Sequence, residues 1–119
     1  MSQFSDSQPI FVQIGERIAQ MILSQSAREG EALPSVRQIA AELSVNPLTV
    51  TRAYQSLVDI GAVESRRGMG MYVAAGGRER LLAHAREQFL TEEWPRVLVR
   101  IAALGLDPEH LLKQGGKDE

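Results

Sequence analysis

No cysteine occurs among the 119 residues. Disulfides and thiolate metal centres are therefore excluded as ways of holding the fold. No apolar run reaches membrane-spanning length, and the first residues lack the basic start and apolar stretch of a secretory signal. A cytoplasmic location with no membrane partner is expected. Catalytic groupings are missing too. Of the two histidines, His84 has only Glu87 nearby, at a spacing that reads as a helix surface pair, and His110 stands alone. No nucleophile–base set, phosphate-cradling loop or paired catalytic carboxylates can be assembled. Gly68-Met69-Gly70 is too short for a dinucleotide fingerprint and lacks its strand–turn–helix context. The chain is not expected to be an enzyme, and no cofactor or metal is implied.

Basic charge is also scarce. Thirteen Lys and Arg stand against fifteen Asp and Glu, a net charge of −2, with a sequence pI near 5.7. Composition alone excludes a strongly cationic surface, so any polyanion contact depends on where the arginines are placed. What remains is the make-up of a folded protein, 44% hydrophobic and 24% charged. That size fits one domain with an appendage, or one elongated domain.

Local patterns supply the organisation. Apolar residues at Ile14, Ile18, Met21 and Ile22 make a helical stripe between Phe11 and Ser24, with Pro9 at its start. The stretch from Ser24 to Glu31 is polar, with a turn at Gly30. Ser35 and Gln38 form a capping-box pair ahead of Ile39, Ala40 and Leu43. Ser44-Val45 makes a tight turn. Asn46 is an N-cap with Pro47 at the first helical position, and Val50, Ala53, Tyr54 and Leu57 form the buried side. Leu48, Arg52, Gln55 and Asp59 fall opposite, flanked by Thr49 and Thr51. Gly61 closes that helix. Residues 62–65 and 69–73 are short strands, and Arg66-Arg67-Gly68-Met69-Gly70 forms the tip between them.

Two short helices, a tight turn and a small basic hairpin, in this order, build a winged helix-turn-helix, an architecture that places one helix in a DNA groove. Residues 33–73 carry Arg37, Arg52, Arg66 and Arg67 against Glu42, Asp59 and Glu64, a net charge of only +1. All four arginines nonetheless fall where that motif faces DNA. Arg37 is poorly placed for its own helix, because a helix N-terminus favours anions, and a nearby phosphate explains it. The plain alternatives are a solvated Arg37, an Arg52 paired with Asp59 or Gln55, and wing arginines that only keep the hairpin soluble.

Gly76-Gly77 marks a joint. Beyond it Leu81, Leu82, Ala85 and Phe89 form one stripe, and Val97, Leu98, Ile101 and Leu104 another, rotated by roughly 130° on a straight helix. Pro95 predicts a kink or break at Trp94-Pro95, leaving two differently aimed faces. Gly105 is a stop, and Asp107-Pro108 opens a last short helix with Leu111 and Leu112. So short a tail cannot bury two apolar faces alone. A homodimer interface of Leu81, Leu82, Ala85, Phe89, Val97, Leu98 and Ile101 is expected. The tail is too small for a roomy pocket within one chain, so a small-molecule effector is expected at the dimer interface or at the junction near Gly76-Gly77, against Trp94.

The motifs resemble the GntR family of bacterial transcription regulators. The likeness rests on Pro9-Ile10-Phe11-Val12-Gln13-Ile14, Leu33-Pro34-Ser35-x-Arg37, Thr49-Val50-x-Arg52-Ala53-Tyr54 and Arg66-Arg67-Gly68-x-Gly70-x-Tyr72-Val73. The short tail, with Ala103-Leu104-Gly105-Leu106-Asp107-Pro108, is similar to the YtrA-like subfamily. The resemblance implies a dimer and DNA contacts at Ser35, Arg37, Leu48, Thr49, Thr51, Arg67, Gly68 and Gly70; the reading of the motif adds Arg52 and Arg66. Many family members have arginine where this chain has Pro47 and Thr51, so that charge is expected to move to Arg52. Many also have glycine where Gln25 stands.

The expectation is therefore a mainly α fold with a small β-hairpin. A winged helix-turn-helix domain at 9–75 precedes a helical dimerisation tail at 76–114, with 1–8 and 115–119 disordered. The expected function is a nucleoid-associated, sequence-specific transcription regulator, a repressor, bound to double-stranded DNA as a homodimer on a roughly palindromic operator. The alternative is a winged-helix protein–protein adaptor.

Overall fold

The computed structural model describes Phe4 and residues 8–117. The order is α1 (Ile10–Leu23), α2 (Val36–Leu43), α3 (Pro47–Ile60), β1 (Val63–Arg66), β2 (Gly70–Val73), α4 (Gly77–Gln88), a π-helical turn (Phe89–Glu93), α5 (Trp94–Ala103) and α6 (Pro108–Lys117). The mainly helical fold with one antiparallel hairpin is the one expected. The chain forms two compact units, Met1–Ala83 and His84–Glu119.

In the first unit, Ile14, Ile18 and Ile22 of α1 meet Val50, Ala53, Tyr54 and Leu57 of α3 in one core, with Ile39 and Ala40 of α2. Met21 and Leu43, expected inside, pack at its half-buried edge. The capping box is present: the Ser35 hydroxyl accepts from the Gln38 N–H at 3.0 Å, and the Gln38 side chain accepts from the Ser35 N–H at 2.8 Å. Asn46 Oδ1 accepts from the Leu48 N–H at 2.8 Å, with Pro47 behind it where no amide is missed. Tyr54 is fully buried and donates its hydroxyl to the Pro34 carbonyl, tying α3 to the entry of α2. Burial pushes its phenol pKa far up.

The strands lie one residue later than expected at their starts, because Ala62 and Met69 are engaged elsewhere. The Ala62 N–H closes α3 on the Leu57 carbonyl at 3.0 Å, and the Met69 N–H closes the hairpin turn on Arg66 at 2.9 Å. Val63 pairs with Val73 and Arg66 with Gly70. Part of the polar stretch after α1 also joins the sheet. Leu33 donates to Met71 at 2.8 Å, Val73 to Glu31 at 3.0 Å and Gly30 to Val73 at 2.9 Å. The β2 strand is thus flanked on both sides.

Gly76-Gly77 is not a loose joint. A Cβ on Gly77 would stand 2.4 Å from the Ala62 carbonyl oxygen, so only glycine lets α4 approach this closely. The Gly76 N–H donates to the Glu29 carboxylate. Arg80 donates to the carbonyls of Gly61 at 2.9 Å and Ala75 at 2.6 Å. The first turns of α4, including Leu81, therefore belong to the winged unit, and the division falls at 83/84 instead of 75/76.

In the second unit the expected interruption before Pro95 takes the form of a π turn. The Trp94 N–H donates to the Phe89 carbonyl five residues back, and the Phe89 and Trp94 rings stack with centroids 6.3 Å apart. A π turn holds one residue more than an α turn and winds the helix beyond it back by about 100°. The roughly 130° offset of Ala85 and Phe89 from the α5 stripe shrinks to about 30°. The two faces are nearly one face, not two. Gly105 ends α5, with Leu106 N–H donating to the Ile101 carbonyl at 3.0 Å, and Asp107 Oδ1 caps α6 through the Glu109 N–H at 3.2 Å. That helix runs to Lys117, past the expected end at 114. Of the ends expected to be disordered, residues 1–3, 5–7, 118 and 119 lie outside the described residues.

Candidate nucleic-acid interface

All ten residues singled out for DNA contact lie in the first unit. Ser35 caps α2 as described, and Arg37 follows in its first turn, exposed. On α3, Leu48 is 75% exposed, Thr49 half-buried, and Thr51 and Arg52 exposed. Thr51 donates its hydroxyl to the Pro47 carbonyl at 3.1 Å, so that proton is taken by the helix itself and only its oxygen lone pairs and methyl face outward. Gln55 donates to Asp59 at 2.8 Å, and Arg52 forms an ion pair with neither the aspartate nor any other described residue. The Arg52 guanidinium instead lies 4.0 Å from the centroid of the Phe11 ring on α1.

The wing tip is narrower than expected. The turn between the strands is Arg67-Gly68-Met69, and Gly68 and Gly70 have φ of 76° and 107°, values that a side chain resists. Arg66 belongs to the strand. Its side chain reaches back over the Tyr72 ring, 4.1 Å from the centroid, and meets Glu64 Oε1 at 2.7 Å and 2.8 Å. Strand alternation places Glu64 and Arg66 on one face, and register sets Tyr72 opposite Glu64. Arg67 is exposed at the tip.

Among the described residues, Arg37, Arg52 and Arg67 make no ion pair, whereas Arg66 is neutralised in place. Those residues hold no group of three side chains fit for a metal. Phe11, Glu64 and Tyr72 were not singled out from the sequence. The first appears there as a helix-start residue, and the Glu64–Arg66 spacing in a strand was the available signal for the second.

The seven residues expected at a dimer interface separate. Leu81 is 4% exposed within the core of the winged unit and Ile101 is 8% exposed in the second unit, so neither offers surface in this chain. Leu82 is half-buried. Ala85, Phe89, Val97 and Leu98 are exposed, and Leu90, Val99, Leu104, Leu106 and Leu112 join them as apolar residues facing outward.

Comparison with known proteins places this arrangement. The family model for bacterial regulatory proteins of the gntR family matches residues 11–73. The HTH-type transcriptional regulator YhcF of Bacillus subtilis (strain 168) is 31% identical over 94% of this chain and 91% of its own length. The HTH-type transcriptional repressor YtrA of the same organism is 30% identical over 88% of this chain and 80% of its own. A GntR family transcriptional regulator from Listeria monocytogenes superposes with a TM-score of 0.78 at 29% identity, covering 98% of this chain and 100% of that one.

Proposed function

The chain belongs to the gntR family of bacterial regulatory proteins and is a DNA-binding transcription regulator, not an enzyme, and from that premise we propose that it is a repressor reading a roughly palindromic operator as a homodimer. The observation that carries the reading is the trio Arg37, Arg52 and Arg67, exposed and unneutralised on α2, α3 and the wing tip of one unit. In a chain of net charge −2, three uncompensated cations on successive elements of a winged helix fit a phosphate backbone.

In the mechanism, α3 enters the major groove with Leu48, Thr49 and Thr51 toward base edges, and an exposed leucine there suits a thymine methyl. Ser35 and Arg37 meet one backbone. Arg67, carried on the open turn of Gly68 and Gly70, meets the phosphates of the adjacent minor groove. The outward apolar residues of the second unit, Phe89, Val97 and Leu98 among them, support pairing with a second copy, and paired half-sites follow from the two-fold symmetry. An effector, if the protein has one, enters at that interface. The location proposed is the cytoplasm, on the nucleoid.

Selection of duplexes from a random pool, then titration of the winner and a scrambled duplex at several salt concentrations, tests the reading. An inverted-repeat winner, bound far more tightly than its scramble with a steep salt slope, is expected. Equal weak binding to both would overturn sequence-specific recognition. No binding even at low salt would leave the protein–protein adaptor.

A further inference from the structure

Beside a looser contact of Arg17 with the Phe4 ring at 5.4 Å, the first unit contains two close arginine–ring stacks. Arg66 lies 4.1 Å from the Tyr72 centroid and Arg52 lies 4.0 Å from the Phe11 centroid. The two differ in what happens to the charge. Arg66 is met by Glu64 at 2.7 Å, which closes its guanidinium off. Arg52 makes no ion pair among the described residues, and Asp59, two turns along its helix face, accepts from Gln55 at 2.8 Å instead. A guanidinium stacked on a ring spends its flat face and keeps its N–H donors in the plane, aimed outward. Arg52 is also exposed on α3, while Phe11 is half-buried against the core and so cannot follow a swinging side chain.

We infer that Phe11 is a positioning residue for DNA recognition: its ring holds the Arg52 guanidinium at the α1–α3 seam, with its donors turned to a phosphate of the bound duplex. A long arginine side chain otherwise loses its rotamer freedom on binding, and a ring that fixes it beforehand removes that cost. Phe11 touches no DNA in this scheme. The inference rests on the proposed reading, in which α3 lies in the groove.

The test uses the full chain and the duplex selected from the random pool. Phe11→Leu keeps the apolar packing and removes the π face; Phe11→Tyr keeps both. Phe11→Leu is expected to weaken operator binding by about two- to fivefold. Its salt slope is expected to fall by up to about one unit, as when a phosphate contact is lost. Phe11→Tyr should bind like the parent. Arg52→Ala should lose at least as much, and Phe11→Leu added to Arg52→Ala should cost nothing further in binding, because the ring acts only through that arginine. Thermal midpoints report folding separately. If Phe11→Leu lowers the midpoint but leaves affinity and salt slope unchanged, the ring is structural only and the inference is overturned, while the DNA reading stands. If Phe11→Leu weakens binding equally with and without Arg52, the ring acts by another route and the inference again fails. A parent protein that binds no duplex overturns both.

Discussion

Arginines adjacent in sequence have different fates. Arg67 stands free of ion pairs at the wing tip, whereas Arg66 is held by Glu64 and Tyr72. Arg67→Ala should therefore weaken binding across sequences and flatten the salt slope by about one unit, and Arg66→Ala should change that slope much less. Equal slope changes for both would place Arg66 on the phosphates after all. Gln25 carries a different tension. It takes φ of 64° just past α1, a left-handed conformation that costs a non-glycine residue about 1–2 kcal/mol. Glycine loses more chain entropy on folding, so Gln25→Gly should yield a net gain of about 0.5–1 kcal/mol. The thermal midpoint should rise by about 2–6 °C. A lowered midpoint would mean that the Gln25 side chain contributes more than the strain removes.

Elements were legible wherever the information is local. Ser35 with Gln38, Asn46 with Pro47, and Asp107 act within a turn of themselves, and each cap forms as its residue type dictates. Contacts that join distant segments were not legible, because Phe11 and Arg52, or Gly30 and Val73, meet only once the helices have packed. Gly76-Gly77 shows the limit most clearly. A glycine pair signals freedom or close approach with the same letters, and here the second meaning holds at Gly77. Gly77→Ala should consequently cost about 2–3 kcal/mol, since its Cβ meets a backbone oxygen that cannot turn away. Urea unfolding of the variant checks this, and a loss below about 0.5 kcal/mol would show that α4 shifts freely on the winged unit.

At the scale of the whole molecule, periodicity tells which residues want cover but not who provides it. Leu81 and Phe89 belong to one stripe in the sequence, yet Leu81 is covered by its own domain and Phe89 remains 46% exposed. The two should answer differently to a charge. Phe89→Asp or Val97→Asp should leave a folded chain that sediments as a monomer and binds its operator weakly, while Leu81→Asp should unfold the winged unit. Dimers that survive both of the first two changes would move the interface off this face. That face depends on the π turn between Gln88 and Trp94. Counted in residues, the turn is a one-letter surplus kept in the middle of a long helix. In the history of such a tail, loss of any one of Phe89–Glu93 would relax the π turn to an ordinary α turn and leave the phase of the helix beyond it unchanged. The surplus residue thus lets tails of different length keep one oily side, so relatives with and without it retain the same face for a partner.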